Sequence, residues 1–131
     1  EWDRYYDIRY RLLRKPWGNK RGEERKPEDA IADHLAAFSN GTPVGIGMVY
    51  DDGGNARIRF IAMEEEYQRK GLGTKLMAAL EGLARKKGFK KAILWGDENA
   101  VKFYEKLGYK NVGKGPLLNG LLQQYDMEKA L

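Results

Sequence analysis

The sequence predicts one mixed α/β domain of the α+β kind, with a mostly antiparallel central sheet flanked by helices. Three observations predict it. A length of 131 residues, spanning 1–131 as a single unit, sits near the commonest domain size. Short β-type stretches crowd between residues 33 and 63, separated by clusters of turn residues. One long amphipathic helix then leads from that meander into a further strand, which is the pattern of a strand–helix–strand unit.

Each element follows from local pattern. Trp2 to Arg14 carries Trp2, Tyr5, Tyr6, Leu12 and Leu13 at helical offsets and is expected as a helix, although alternation through Tyr6, Ile8, Tyr10 and Leu12 also suits a strand. Pro16 and Gly18 end it, and Trp17 to Lys26 reads as a basic, turn-rich loop. Strands are expected at Asp33–Phe38, Val44–Tyr50 and Ala56–Met63, broken by Ser39-Asn40-Gly41-Thr42-Pro43 and Asp51-Asp52-Gly53-Gly54. A helix over Leu72–Lys87 places Leu72, Leu76, Leu80 and Leu83 on one face, gathers cations at its C-terminal end, and meets a ready cap in Gly88. A strand at Lys90–Trp95, a short helix at about Glu98–Lys106 and strands at Tyr109–Gly113 and Leu122–Glu128 complete the chain. The last two flank a turn region containing Gly115, Pro116, Asn119 and Gly120.

Composition narrows the function. Hydrophobic residues at 42% and aromatics at 11% exclude disorder as the main state, and no apolar run reaches the roughly twenty residues of a membrane span. The chain has no cysteine and one histidine, His34, which removes thiolate nucleophiles and the usual zinc sites; no metal is expected. Twenty-four basic residues against 19 acidic ones leave a net charge of +5. Such a surplus suits nucleic acid or an anionic small molecule equally. The basic residues are scattered and no recognition helix or stacking platform is present, so neither nucleic acid nor membrane is expected as a partner. The chain opens at Glu1 with no signal or transit sequence, and the expectation is a processed or trimmed cytoplasmic protein.

The chemistry concentrates in two stretches. In the first, strand end Met63 leads through an acidic loop to Gln68-Arg69-Lys70-Gly71-Leu72-Gly73-Thr74, where a Gly-x-Gly step opens the long helix. The first amides of a helix lack internal acceptors and carry partial positive charge. Glycines at 71 and 73 leave that backbone open to an anion, and Arg69, Lys70 and Thr74 add donors. Plain strand-to-helix turn chemistry would use the same residues. In the second stretch, Asn99-Ala-x-x-Phe-Tyr-x-x-Leu-Gly-Tyr, Asn99 stands at the entry of the short helix and Tyr104 five residues on. Singly, Asn99 reads as well as an N-cap and Tyr104 as a core aromatic.

Together and in this order the two stretches resemble the GNAT superfamily of N-acetyltransferases, over roughly Val44 to Tyr109. Gln68 to Gly73 is similar to that family's Gln/Arg-x-x-Gly-x-Gly/Ala signature, and the Asn99–Tyr109 stretch to its second hallmark. The resemblance implies acetyl coenzyme A as co-substrate and a direct transfer of its acetyl group to a primary amine. It implies that the strand ending Ile61-Ala62-Met63 lends its backbone to the pantetheine arm. The amides of Arg69, Lys70, Gly71, Leu72, Gly73 and Thr74, preceded by Gln68, would take the pyrophosphate. Asn99 would touch the cofactor near the pantetheine, and Tyr104 would be the general acid that protonates the departing thiolate. A splay between Ala56–Met63 and Lys90–Trp95 would hold the cofactor.

Other expectations are looser. The amine needs a base or a water chain, for which Glu64, Asp97 and Glu98 are the strand-end candidates, each by default a solvated acid. His34, on an interior-type strand, reads better as a satisfied core histidine than as a base. The family's opening strand is absent from this chain if Trp2–Arg14 is the first helix, which would expose a sheet edge. Trp17 and Arg21 would lie over the acceptor site, or serve merely as an anchor and a surface cation. The acceptor is a small-molecule or peptide amine of unread identity, and homodimerisation is an analogy only. The rival is a GNAT-like domain that binds acyl coenzyme A without catalysis.

Overall fold

Strands β1 (Asp33–Ser39), β2 (Thr42–Asp52) and β3 (Asn55–Met63) form an antiparallel meander, and β4 (Lys91–Asp97), β5 (Lys110–Leu118) and β6 (Leu122–Ala130) form a second antiparallel group. This is a computed structural model that describes residues 2–118 and 120–131. All six strands join one sheet in the order β1-β2-β3-β4-β6-β5. The β3–β4 contact alone is parallel, and helix α2 (Leu72–Lys86) supplies the crossover that a parallel pair requires.

That parallel contact is short. Only Ala56 with Ala92 and Arg57 with Ile93 are in register, whereas β4 pairs with β6 along its whole length, from Lys91–Ala130 to Asp97–Gln124. β3 and β4 therefore part after two residues, and a wedge opens between their C-terminal halves. The splay expected from the sequence is present.

Apolar faces hold the two sides of the sheet. Leu76, Met77, Leu80 and Ala84 of α2 recur at helical spacing and pack on Val49, Ile58, Ala92, Leu94 and Met127. The acid on that buried face, Glu81, accepts a hydrogen bond from the Tyr109 hydroxyl at 2.7 Å and one from Lys129 Nζ at 2.9 Å, so its charge is paired. Burial and the Glu81 bond push the Tyr109 phenol far up. On the opposite face, Tyr5, Tyr6 and Ile8 of α1 (Trp2–Arg9) pack on Ile46 and Ala62.

Two expected helices are altered. The first is α-helical only to Arg9 and continues as a π-helical turn over Tyr10–Arg14, with the Lys15 amide reaching the Tyr10 carbonyl. Arg9 and Arg14, five residues apart, thereby come under one another, and both are buried. The short helix, α3 (Val101–Lys106), starts later than expected, with Ala100 rather than Asn99 as its N-cap. Asp97 explains the delay: its Oδ1 accepts from the amides of Asn99 and Ala100 and holds residues 97–100 as a turn. The loop expected up to Lys26 is followed by a 3₁₀ turn at Pro27–Ala30. Its Asp29 caps that turn and pairs with Arg9 at 2.9 Å. The turn between β5 and β6 includes Asn119, which lies outside the described residues.

Candidate active site

A cavity of about 390 Å³ occupies the wedge between β3 and β4. β3 contributes Ile58 to Ile61; β4 and the following turn contribute Trp95, Asp97 and Asn99. Tyr104 of α3 forms one wall, Leu118, Leu122 and Gln124 of the β5–β6 pair another. The π turn and the segment after it close the third side with Leu12, Leu13, Arg14 and Trp17.

The β3 wall is bulged. Ile46 pairs with Ala62 and Met48 with Arg59, so Phe60 and Ile61 together face Gly47 alone. Phe60 takes a left-handed φ of 56°, a conformation that costs a bulky residue roughly 1–2 kcal/mol. Bulges leave a residue out of the ladder, and here the unpaired pair faces the cavity. Nothing in the apolar alternation of Ala56–Met63 marks this break. Three guanidinium groups surround the Phe60 ring: Arg9 at 4.2 Å, Arg59 at 4.5 Å and Arg14 at 5.0 Å from its centre.

Tyr104 reaches the cavity from α3 because its ring lies on Gly96 of β4. Burial pushes its hydroxyl up to about 12, and the Asp97 charge pushes in the same direction. The phenol is therefore a protonated donor throughout the neutral range, and among the described residues it has no hydrogen-bond partner. Asp97 and Asn99 share the cavity with it, so the structure brings together Ile61, Asp97, Asn99 and Tyr104 of the expected site residues, and Trp17 across from them.

The second part of the expected site is the loop into α2. Arg69 and Gly71 both have left-handed backbone, with φ of 62° and 78°. The α2 N-terminus has no side-chain cap. Among the described residues the amides of Arg69 and of Gly71 to Thr74 donate to no protein acceptor, while the Lys70 amide closes the turn over Gln68 and Arg69. Four successive free donors at a helix start suit a diphosphate. Gly71 has open space around it, whereas a methyl at Gly73 would touch the Phe103 ring at 3.5 Å. Gly73 thus sits beside α3, and the loop and Tyr104 belong to one assembly. Gln68 plays a different part, because its Nε2 donates to the Met63 carbonyl at 3.0 Å and ties the loop to the end of β3.

Other candidates fall away from the cavity. Glu64 is gripped by Arg11, whose Nη2 and Nη1 donate to its two oxygens at 2.6 and 3.1 Å. Glu98 is exposed, and its amide bonds the Gln123 carbonyl. Arg21 pairs with Asp7 at 2.8 Å and lies over Tyr10, so it does not cover the acceptor side. Ala62 and Met63 are buried and do not line the cavity, and β4 does not pair with them. His34 bonds the Asp29 carbonyl through Nε2 at 2.9 Å, which makes Nε2 the donor, and its Nδ1 accepts from the Tyr5 hydroxyl at 2.7 Å. Both ring nitrogens are satisfied, as a core histidine requires. Among the described residues no cluster of three metal-ligating side chains occurs, and no helix is long and apolar enough to cross a membrane.

Comparison with known proteins places this geometry. The family model described as "Acetyltransferase (GNAT) family" matches residues 2–109. A Bacillus subtilis (strain 168) relative, BSU40680, whose name marks its acetyltransferase activity as inferred, is 32% identical over 88 residues. That match covers 67% of this chain and 60% of the relative, so the chain spans three-fifths of its length. Among solved structures, an acyl-CoA N-acyltransferase from Pseudomonas aeruginosa superposes with a TM-score of 0.86 at 18% identity, covering 99% of this chain and 90% of that one. An aminoglycoside 6′-N-acetyltransferase complexed with coenzyme A gives a TM-score of 0.82 at 21% identity, over 98% and 89%. At such identities these two structures speak for the fold.

Proposed function

The chain belongs to the GNAT acetyltransferase family, and from that premise we propose that it is an N-acetyltransferase moving the acetyl group of acetyl coenzyme A directly to a primary amine. The observation that carries the proposal is the joining of two devices in one place. The uncapped amides of Arg69–Thr74 border α3, and α3 delivers a protonated tyrosine into the wedge between β3 and β4.

The residues present fit the co-substrate. The amides from Arg69 to Thr74, free in an unbroken run from Gly71, would hold its pyrophosphate, and Arg69 and Lys70 add charge of the right sign. The β3 edge facing the wedge, at Ile61 to Met63, is free of β4 and would accept an extended arm as an added strand. Asn99 would contact the same arm from the opposite wall. The co-substrate supplies an acetyl thioester, an electrophile that an amine can attack without an enzyme nucleophile.

What remains for the protein is positioning and proton handling. Asp97, the one strand-end acid in the cavity, would draw the ammonium of the acceptor and receive its proton directly or through water. The amine nitrogen then forms a bond to the acetyl carbon as the carbon–sulfur bond breaks, and the second proton that the nitrogen sheds in becoming an amide passes to solvent. The Tyr104 hydroxyl gives its proton to the sulfur and is restored from solvent.

A thiol-release assay over a panel of amines tests this reading. Acetyl-coenzyme-A-dependent release with at least one amine supports it. Saturable coenzyme binding without turnover on any amine would instead support the non-catalytic binding domain.

A further inference from the structure

Arg14 is 8% exposed and lines the cavity, yet no carboxylate lies within ion-pair distance of it among the described residues. Its Nη1 donates to the neighbouring Leu13 carbonyl at 3.3 Å, and its face rests on Phe60. Arg59, also on the cavity wall, approaches Glu28 only to 3.8 Å, too far for a hydrogen bond. Arg9, the third guanidinium on Phe60, by contrast has a counter-ion: its Nη1 donates to both Asp29 oxygens at 2.9 Å. Burial holds the Arg14 guanidinium below its usual range, with Arg59 and Arg9 acting in the same direction.

A buried cation without a counter-ion is costly, and stacking on an aromatic ring offsets only part of that cost. The cation has fork geometry, several unused donors and a second guanidinium beside it. That is the donor set of an oxyanion site. The anion is not the pyrophosphate, because no residue of Gln68–Thr74 lines this cavity. Resting on the function proposed above, we propose that the amine acceptor carries its own oxyanion, a carboxylate or a phosphate, which Arg14 and Arg59 bind while Asp97 draws the ammonium. The substrate class is thus a zwitterion such as an amino acid, a peptide end or an amino-phosphate. A polycation would place positive charge against two guanidinium groups and is selected against.

The test uses matched amines on the intact chain. Phenylalanine is compared with phenylalaninamide, and phosphoethanolamine with ethanolamine; spermidine is the polycation. Binding is read from tryptophan fluorescence, since Trp17 and Trp95 line the cavity, and turnover from thiol release. The oxyanion-bearing member of one pair should exceed the partner that lacks the oxyanion by about 10–100-fold in kcat/KM or affinity, as the loss of charge-assisted hydrogen bonds implies. Which pair responds separates carboxylate from phosphate. Arg59→Gln and Arg14→Gln should each collapse that ratio, and Arg14→Lys should restore part of it; if Arg14→Gln does not fold, Arg59→Gln carries the comparison. The inference is overturned if the partners lacking an oxyanion, or spermidine, match the zwitterions, if neither zwitterion binds, or if the ratio survives both glutamine variants. Acetyl coenzyme A binding in these same proteins is the separate readout: intact coenzyme binding with no anion preference overturns this inference alone, and absent coenzyme binding overturns the function it rests on.

Discussion

The ring of Tyr104 lies on the bare backbone of Gly96: a methyl group at position 96 would stand 3.1 Å from its Cδ2 and 2.9 Å from the Met127 sulfur. Gly96→Ala should therefore tilt the tyrosine out of place. Displacements of this kind cost catalysis far more than binding. We expect kcat to fall by about tenfold or more and stability by about 1–3 kcal/mol, the usual range for overpacking. Steady-state kinetics and a urea titration check both; an unchanged kcat would show that the contact does not position the acid.

Tyr104→Phe removes the proton donor and leaves the ring on Gly96. Turnover should fall by about 10²-fold or more, within the range for general acid catalysis, while coenzyme affinity stays within about twofold. Equal losses in both would assign Tyr104 to binding.

The strand-end acids should separate cleanly. Glu64 is held by Arg11 away from the cavity, so Glu64→Gln is expected to leave kcat within about twofold and to cost roughly 1 kcal/mol of stability from the lost ion pair. Asp97→Asn keeps an oxygen for the turn amides and loses the charge that faces the cavity. Its kcat/KM should drop by about tenfold or more. The reverse ranking would move the proton acceptor to Glu64.

Buried tyrosines give the stability a pH dependence with a definite sign. Burial pushes Tyr5 and Tyr104 up to about 12, from 10 in the unfolded chain. A raised value means that the folded state holds its proton more tightly. The stabilisation is complete below pH 10 and is lost as the pH rises towards 12. Urea midpoints should be level near pH 9 and fall between pH 10 and 12; a midpoint that rises over that window would reverse the sign.

Much of this molecule could be read from its residues, because the signals were local. The alternation of Ala56–Met63 and the leucine face of Leu72–Lys87 needed no tertiary information, and both elements stand within a residue of their expected ends. The glycines at 71 and 73 likewise announced an open helix start. What was hidden depends on partners far along the chain. The bulge at Phe60 arises from the register of β3 against β2, and a phenylalanine carries no sign of left-handed backbone. The π turn at Tyr10–Arg14 has no motif; its effect is visible only when Arg9 and Arg14 meet the same ring. Arg21 and Arg14 look alike in sequence, yet one pairs with Asp7 at the surface and the other is buried without a carboxylate.

The central claim is that the free amides leading into α2 receive acetyl coenzyme A. Gly73 offers the cleanest probe, since a methyl there makes only an ordinary 3.5 Å contact with Phe103, and the fold should tolerate it. Calorimetric titration of acetyl coenzyme A into the wild-type protein and Gly73→Ala tests the claim most directly. We predict saturable one-to-one binding to the wild type, weakened about tenfold or more by a methyl at the phosphate cradle, with an unchanged melting temperature. No saturable heat with the wild-type protein, or equal affinity in the two proteins, would contradict it.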